Sequence, residues 1–127
     1  MRRSLLLPLV GLAMAVLAGG ALASAPDIVG TWVGKTEIPE AGLDEVTMVL
    51  TKAETGYAGT ASDTLGYLAP STELKDVKLE GSELSYTFPL VDGQTVVIRL
   101  TVEGEKMTGA WTTSEGSTGS ITFEKKK

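Results

Sequence analysis

Carboxylates are the only abundant side chains in this sequence that could perform acid–base chemistry. Aspartate and glutamate number 16 among 127 residues. Paired carboxylates can act as a general acid and a general base. The closest pairs are Asp44 with Glu45, Glu37 with Glu40, Glu80 with Glu83, and Glu103 with Glu105. Most of them flank glycine-containing turns, where a carboxylate more simply serves as a solvating charge. We therefore predict that the protein is not an enzyme.

The residue types that support other chemistries are missing. The sequence contains no Cys, no His and no Asn. Their absence excludes disulfides, the usual zinc and iron–sulfur ligand sets, Ser–His or Cys–His nucleophiles, and N-glycosylation. There is also no Gly-x-Ser-x-Gly motif, no Asp-x-Asp-x-Asp-Gly calcium loop and no phosphate-binding glycine motif. We expect no catalytic residue, no metal site and no cofactor.

Residues 1–25 have the composition of a secretory signal peptide. Arg2 and Arg3 precede an apolar run over residues 5–22 that ends in small residues. A positive start, an apolar middle and an A-x-A-like exit are typical of a segment removed on export, here after Ala23 or after Ala25. The run is also long enough for a membrane anchor, but its glycines and alanine-rich end favour cleavage. We expect a periplasmic or secreted protein that keeps no membrane span.

Residues 26–127 are then predicted to form a single domain. Loss of Arg2 and Arg3 leaves nine basic against 16 acidic residues, which gives a net charge of −7 instead of −5 for the whole chain. Such an acidic balance disfavours binding to nucleic acid. We expect a monomer whose partner is a small apolar molecule or a protein of the cell envelope.

The elements that must position any site are short strands. Apolar and polar residues alternate with a period of two after Ile28, and no stretch shows a sustained helical period. Glycine-containing turns separate the alternating segments. The predicted strands cover residues 28–37, 44–52, 56–63, 73–80, 83–90, 94–103, 106–113 and 118–125. Because most connections are short hairpins, we predict an all-β, eight-stranded antiparallel up-and-down barrel, with a β-sandwich as the alternative.

Two tryptophan motifs carry a resemblance to a known group of barrels. Gly30-Thr31-Trp32 opens the first strand, and Gly109-Ala110-Trp111 lies on the penultimate strand. This arrangement resembles the lipocalin, fatty-acid-binding and avidin group, the calycins, and in particular small exported bacterial lipocalin-like barrels. The resemblance implies that Trp32 closes one end of the barrel. It implies no ligand, because avidin-type biotin recognition uses an Asn and fatty-acid-binding proteins use paired arginines, whereas Arg99 is the only arginine after residue 25.

Alternation also predicts an almost wholly apolar interior, which is either filled by its own side chains or hollow enough for one small ligand. The predicted inward side chains are Trp32, Val46, Met48, Leu50, Val77, Leu79, Leu84, Tyr86, Phe88, Val96, Ile98, Leu100, Met107, Trp111, Ile121 and Phe123. The connection over residues 64–72 departs from the pattern, because it carries apolar residues where a polar turn is expected. It is predicted to be a plug, or else a lid or an apolar docking patch.

Two functions remain open on this basis. The first is a non-catalytic, exported, lipocalin-like barrel that binds a small apolar ligand near the 64–72 connection. Its predicted ligand-binding residues are Tyr57, Leu65, Tyr67, Leu68, Tyr86 and Trp111. The second is a ligand-free structural or protein-interaction module of the cell envelope. A cavity favours the first function, and a solid core with an exposed apolar connection favours the second.

Overall fold

A computed structural model describes residues 26–126 as nine strands. The predicted signal peptide lies outside the described residues. The strands are β1 (Gly30–Ile38), β2 (Gly42–Lys52), β3 (Tyr57–Asp63), β4 (Thr72–Glu73), β5 (Lys75–Glu80), β6 (Glu83–Pro89), β7 (Thr95–Glu103), β8 (Lys106–Thr113) and β9 (Thr118–Lys125). Residues 26–126 include no helix of the length and apolarity that a membrane span requires.

All neighbouring strands are antiparallel, and their spatial order is β4-β3-β2-β1-β9-β8-β7-β6-β5. Pairing of β1 with β9 joins the first and last strands of the meander. Contacts of β3 with β5 and of β4 with β6 bring the two edges of the sheet together, so the barrel is nearly closed. The prediction of an all-β up-and-down barrel is confirmed, and the sandwich alternative is not adopted.

The predicted count of eight strands is wrong by one, because the predicted strand 73–80 is divided at Leu74. Its first part pairs with β3, whereas its second part pairs with β6. Asp76 has a φ of 53°, and the register to β6 shifts between Lys75 and Lys78. A residue in the left-handed region cannot continue a regular strand. The Leu74 amide still donates to the Gly59 carbonyl at 2.9 Å, so the break lies where the barrel wall nearly closes.

Strand alternation places the core as predicted, apart from a few positions. Val77 and Leu79 are only half-buried, because β5 lies at an edge of the sheet. Five further apolar residues join the core. They are Ile28, Ala61, Leu68, Leu74 and Val102. Barrel alternation therefore accounts for most of the apolar interior.

The two ends of the barrel differ. We call the end that carries turns 53–56, 81–82 and 104–105 the closed end, and the end that carries connections 39–41, 64–71, 90–94 and 114–117 the open end.

At the closed end, Trp32 is fully buried and its Nε1 donates to the Ile28 carbonyl at 3.0 Å. The Lys125 ammonium lies 5.7 Å from the centroid of the Trp32 ring. Gly34 faces the Phe123 ring so closely that a Cβ there would lie 2.6 Å from Cδ1. Large rings therefore pack closely inside the barrel towards this end.

Candidate ligand-binding cavity

A cavity of about 240 Å³ lies inside the barrel and opens at the open end. Its wall is mostly apolar, and the lining residues include Val46, Tyr86, Phe88, Ile98, Trp111 and Ile121. A dry apolar cavity of about 150 Å³ is known to hold benzene, and typical small-molecule sites begin near 300 Å³. The cavity is therefore of the right size for a molecule with one or two rings.

Trp111 forms one wall of the cavity and is fixed by a chain of hydrogen bonds. Its Nε1 donates to the Thr36 hydroxyl at 2.9 Å, and that hydroxyl donates to the Ser120 carbonyl at 2.6 Å. Trp111 lies opposite Gly119 on β9, where a Cβ would lie 2.7 Å from the indole Cε2. The glycine lets the ring lie flat against the wall. The indole N–H is consequently satisfied, while the ring lines the cavity.

The connection over residues 64–71 is fixed at the cavity mouth by Asp63. The amides of Tyr67 and Leu68 donate to the two oxygens of this carboxylate at 3.0 and 3.1 Å. The Val91 amide donates to the Tyr67 carbonyl at 2.9 Å, which ties the connection to the next loop. These bonds turn the Tyr67 and Leu68 side chains into the cavity wall, and Leu68 is buried.

Asp44 anchors the other end of the same connection from inside the barrel. Its Oδ1 accepts hydrogen bonds from the Leu65 amide at 3.0 Å and from the Thr64 amide and hydroxyl at 3.2 Å. The side chain is 2% exposed and forms a hydrogen bond with the Asp63 carboxyl. Burial, together with the neighbouring Asp63, raises the pKa of Asp44 to about 6. Asp44 and Asp63 thus form a carboxyl pair whose oxygens hold the connection.

The interpretation of Asp44 and Glu45 as two solvating charges is wrong for Asp44. Its position two residues before Val46 puts it on the inward face of β2, because alternate residues of a strand share a face. The alternation of β2 alone predicts an inward position for Asp44, whereas its charge predicts an outward one.

The raised pKa of Asp44 predicts that the protein is more stable in mild acid. Between pH 4 and 6 the folded chain binds a proton that the unfolded chain releases, so stability falls as the pH rises through this window. We expect the free energy of unfolding to be about 1 kcal/mol higher at pH 5 than at pH 7.5. Thermal melts at the two pH values measure the difference as a shift in melting temperature.

Asp44→Asn should abolish this pH dependence, because the amide keeps the hydrogen bonds and has no proton to bind. Asp92→Asn is the matched control. Asp92 also lines the cavity, but its hydrogen bonds with Gln94 lower its pKa, so it titrates below the window. The same pH dependence in Asp44→Asn as in the wild type would contradict the assignment.

Tyr86 is the buried polar residue of the wall that lacks a partner. Its side chain is 2% exposed, and burial raises the pKa of its hydroxyl. Its ring lies 6.1 Å from that of Phe88. Among the described residues, nothing forms a hydrogen bond with the Tyr86 hydroxyl.

The structure brings four of the six predicted site residues together. Tyr67, Leu68, Tyr86 and Trp111 line the cavity. Leu65 does not line it, because its side chain is 42% exposed on the outside of the connection.

Tyr57 is also absent from the cavity, because it begins β3 at the closed end, where the Lys52 ammonium lies 4.8 Å from its ring centroid. Sequence reasoning missed Asp44, Thr36 and Gln94 as lining residues. Within residues 26–126, no group of three His, Cys, Asp or Glu side chains forms a potential metal site.

Comparison with known proteins gives a likeness of fold. No protein-family model matches the chain, and no curated protein gives a significant match. Among solved structures, the chain is similar to a de novo designed fluorescence-activating β-barrel. The TM-score is 0.53 at 15% sequence identity, and the match covers 77% of this chain and 93% of the designed one. The comparison shows that the chain has the fold of a small antiparallel β-barrel.

Proposed function

We propose that this protein is an exported, non-catalytic, lipocalin-like barrel that binds a small apolar molecule in its open-end cavity. The observation that carries the proposal is the cavity of about 240 Å³, which opens to solvent and has a mostly apolar wall. A pocket that is already formed costs little reorganisation when a ligand enters. The oxygens of the Asp44–Asp63 pair accept backbone amides, so their arrangement supports a structural role rather than acid–base catalysis.

A protein-docking module is the second candidate, and exposed apolar side chains at the open end favour it. Leu43 is 53% exposed, Leu65 42% and Val91 63%. Leu68 is buried and Tyr67 lines the cavity, so the 64–71 connection does not offer the continuous apolar patch that docking requires. The cavity therefore weighs more than these separate side chains.

Filling the cavity tests the binding proposal. Val96 is buried in the cavity wall, and Val96→Phe puts a ring into the space that the ligand needs. Extra atoms forced into a packed core cost about 1–3 kcal/mol. A ligand that shares the cavity with the new ring meets an overlap of the same kind, which makes its free energy of binding less favourable. We therefore expect Val96→Phe to weaken binding of the uncharged probe 2-ethylnaphthalene at least about fivefold. Equilibrium dialysis against the probe measures the dissociation constants.

Val97→Phe is the matched control, because Val97 is the next residue on β7 and is 41% exposed on the outside. This variant makes the same substitution without entering the cavity, so it should bind as the wild type does. Equal probe binding by both variants would overturn the proposal, and so would a wild type that binds neither this probe nor its uncharged analogue 2-acetylnaphthalene.

Export is tested by the mass and the first residue of the protein recovered from a bacterial periplasm. We expect a chain that begins at Ser24 or at Pro26, because both bonds follow small residues in an A-x-A-like context. Replacing Arg2 and Arg3 by Glu removes the positive start, so the uncleaved chain should accumulate inside the cell. An intact Met1 in the periplasmic or membrane fraction would contradict cleavage.

A further inference from the structure

The wall of the cavity contains a buried hydrogen-bond donor, the Tyr86 hydroxyl, that has no protein partner among the described residues. Tyr86 lies between Leu84 and Phe88 on the inward face of β6, opposite Ile98 of β7. Its hydroxyl bonds to none of the described residues, although the side chain is almost fully buried. Buried polar groups normally have a partner, since an unsatisfied one costs about 1–3 kcal/mol. A molecule in the cavity that Tyr86 lines can supply the missing partner.

The charges of the wall limit what that atom can belong to. The charged residues that line the cavity are Asp44 and Asp92, and no Lys or Arg is among the described lining residues. A ligand carboxylate would bring a further negative charge close to the buried Asp44, which already has the carboxyl of Asp63 as its neighbour. An anionic ligand is consequently disfavoured.

The carboxylates near the cavity are also poorly placed to bind a cationic ligand, because they already accept hydrogen bonds from the protein. The Asp44 Oδ1 already accepts three hydrogen bonds from Thr64 and Leu65. Both oxygens of Asp63 accept amides of the 64–71 connection, and Asp92 accepts the amide and the side chain of Gln94. These carboxylates already accept hydrogen bonds from the loops, whereas the Tyr86 hydroxyl is a buried polar group of the wall that bonds to none of the described residues.

We propose that the cavity takes an uncharged molecule of one or two rings that carries a hydrogen-bond acceptor, and that the Tyr86 hydroxyl donates to this acceptor. The inference rests on the proposed binding function and specifies the ligand of the same site. The Tyr86 hydroxyl then favours a ligand with a carbonyl or ether oxygen over a hydrocarbon of similar shape. The negative charges of Asp44 and Asp63 disfavour a ligand of similar shape that carries a carboxylate.

Three probes of nearly equal shape test the inference at pH 7.5. They are 2-ethylnaphthalene, which has no acceptor, 2-acetylnaphthalene, which has an uncharged acceptor, and 2-naphthoate, which is an anion. Equilibrium dialysis gives their dissociation constants for the wild type, for Tyr86→Phe and for Tyr57→Phe. Tyr57 is the matched control because it lies at the closed end, outside the cavity. Tyr86→Phe removes only an unpaired hydroxyl, so it should fold as the wild type does.

We expect Tyr86→Phe to lower the preference for 2-acetylnaphthalene over 2-ethylnaphthalene about three- to tenfold, and Tyr57→Phe to leave it unchanged. In the wild type, 2-naphthoate should bind at least about tenfold more weakly than 2-acetylnaphthalene. The inference is overturned if Tyr86→Phe keeps the wild-type preference, which is the result expected if water bonds to the hydroxyl. It is also overturned if the wild type binds 2-naphthoate more tightly than 2-acetylnaphthalene. If none of the three probes binds, the proposed function itself fails.

Discussion

Trp32→Ala is expected to lower the free energy of unfolding by about 3–5 kcal/mol, as replacement of a buried tryptophan typically does. Trp32 is fully buried at the closed end and lies opposite Met48, which is also fully buried. The substitution leaves a cavity in a region that is close-packed. It also removes the donor that satisfies the Ile28 carbonyl. Denaturant unfolding of the variant and the wild type measures the loss.

Two milder variants separate the contributions to this loss. Trp32→Phe keeps most of the ring but removes the Nε1 donor, so it should cost less than Trp32→Ala. Lys125→Ala removes the ammonium over the ring, an interaction worth about 0.5–1 kcal/mol at exposed sites. A loss of less than 1 kcal/mol in Trp32→Ala would show that this residue does not close the barrel.

Trp111→Ala is expected to destabilise the barrel by a similar amount, about 3–5 kcal/mol, and also to disturb the cavity. Trp111 packs against Gly119, bonds to the Thr36 hydroxyl and supplies a wall of the cavity. Loss of this aromatic surface should weaken 2-ethylnaphthalene binding about three- to tenfold, because ring contacts contribute about 0.5–1.5 kcal/mol beyond their area. Denaturant unfolding and equilibrium dialysis measure the two effects.

Comparison of the two tryptophans is the control for this prediction. Trp32→Ala should leave probe binding close to the wild-type value, since Trp32 lies at the opposite end of the barrel and does not line the cavity. Trp111→Phe should lose about 1 kcal/mol through the missing hydrogen bond, and the probe should still bind. Equal effects of Trp32→Ala and Trp111→Ala on binding would contradict the placement of the site.

The barrel itself could be predicted from the sequence because a single physical rule governs it. Alternate residues of a strand share a face, so Val46, Met48 and Leu50 had to point into the core together. The same rule places Asp44 on the inward face of β2, although its charge favours the outward face. Its burial depends on Thr64 and Leu65, which are 20 and 21 residues away in the sequence and supply the hydrogen bonds that a buried carboxylate needs.

The candidate site was predicted only in part, because residue type does not show which end of the barrel a side chain occupies. Tyr57 and Asp63 are the two ends of β3, and at about 3.3 Å per residue they lie on the order of 20 Å apart. An aromatic residue at Tyr57 therefore cannot reach the mouth that Tyr67 lines. Strand length was enough to exclude Tyr57, whereas Leu65 and Leu68 could be distinguished only by the hydrogen bonds of their amides to Asp44 and Asp63.

The volume of the cavity cannot be predicted from the alternation of apolar and polar residues. The pattern assigns the same inward face to Leu100 at the filled part of β7 and to Val96 at the hollow part. What differs is the fit between neighbouring strands. Gly34 opposite Phe123 lets a ring fill the closed end, whereas Gly119 opposite Trp111 lets a ring lie flat and leaves space beside it.

We expect a small uncharged molecule to bind inside the barrel at the open end. A methyl NMR titration of the protein with 2-acetylnaphthalene tests it most directly, because each methyl group reports its own surroundings. Binding in the cavity predicts saturable shifts at Leu68, Ile98 and Ile121, which line it, and none at Leu84 or Met107, which do not. Shifts confined to exposed residues such as Leu43 and Val91, or no saturable shift at all, would contradict it.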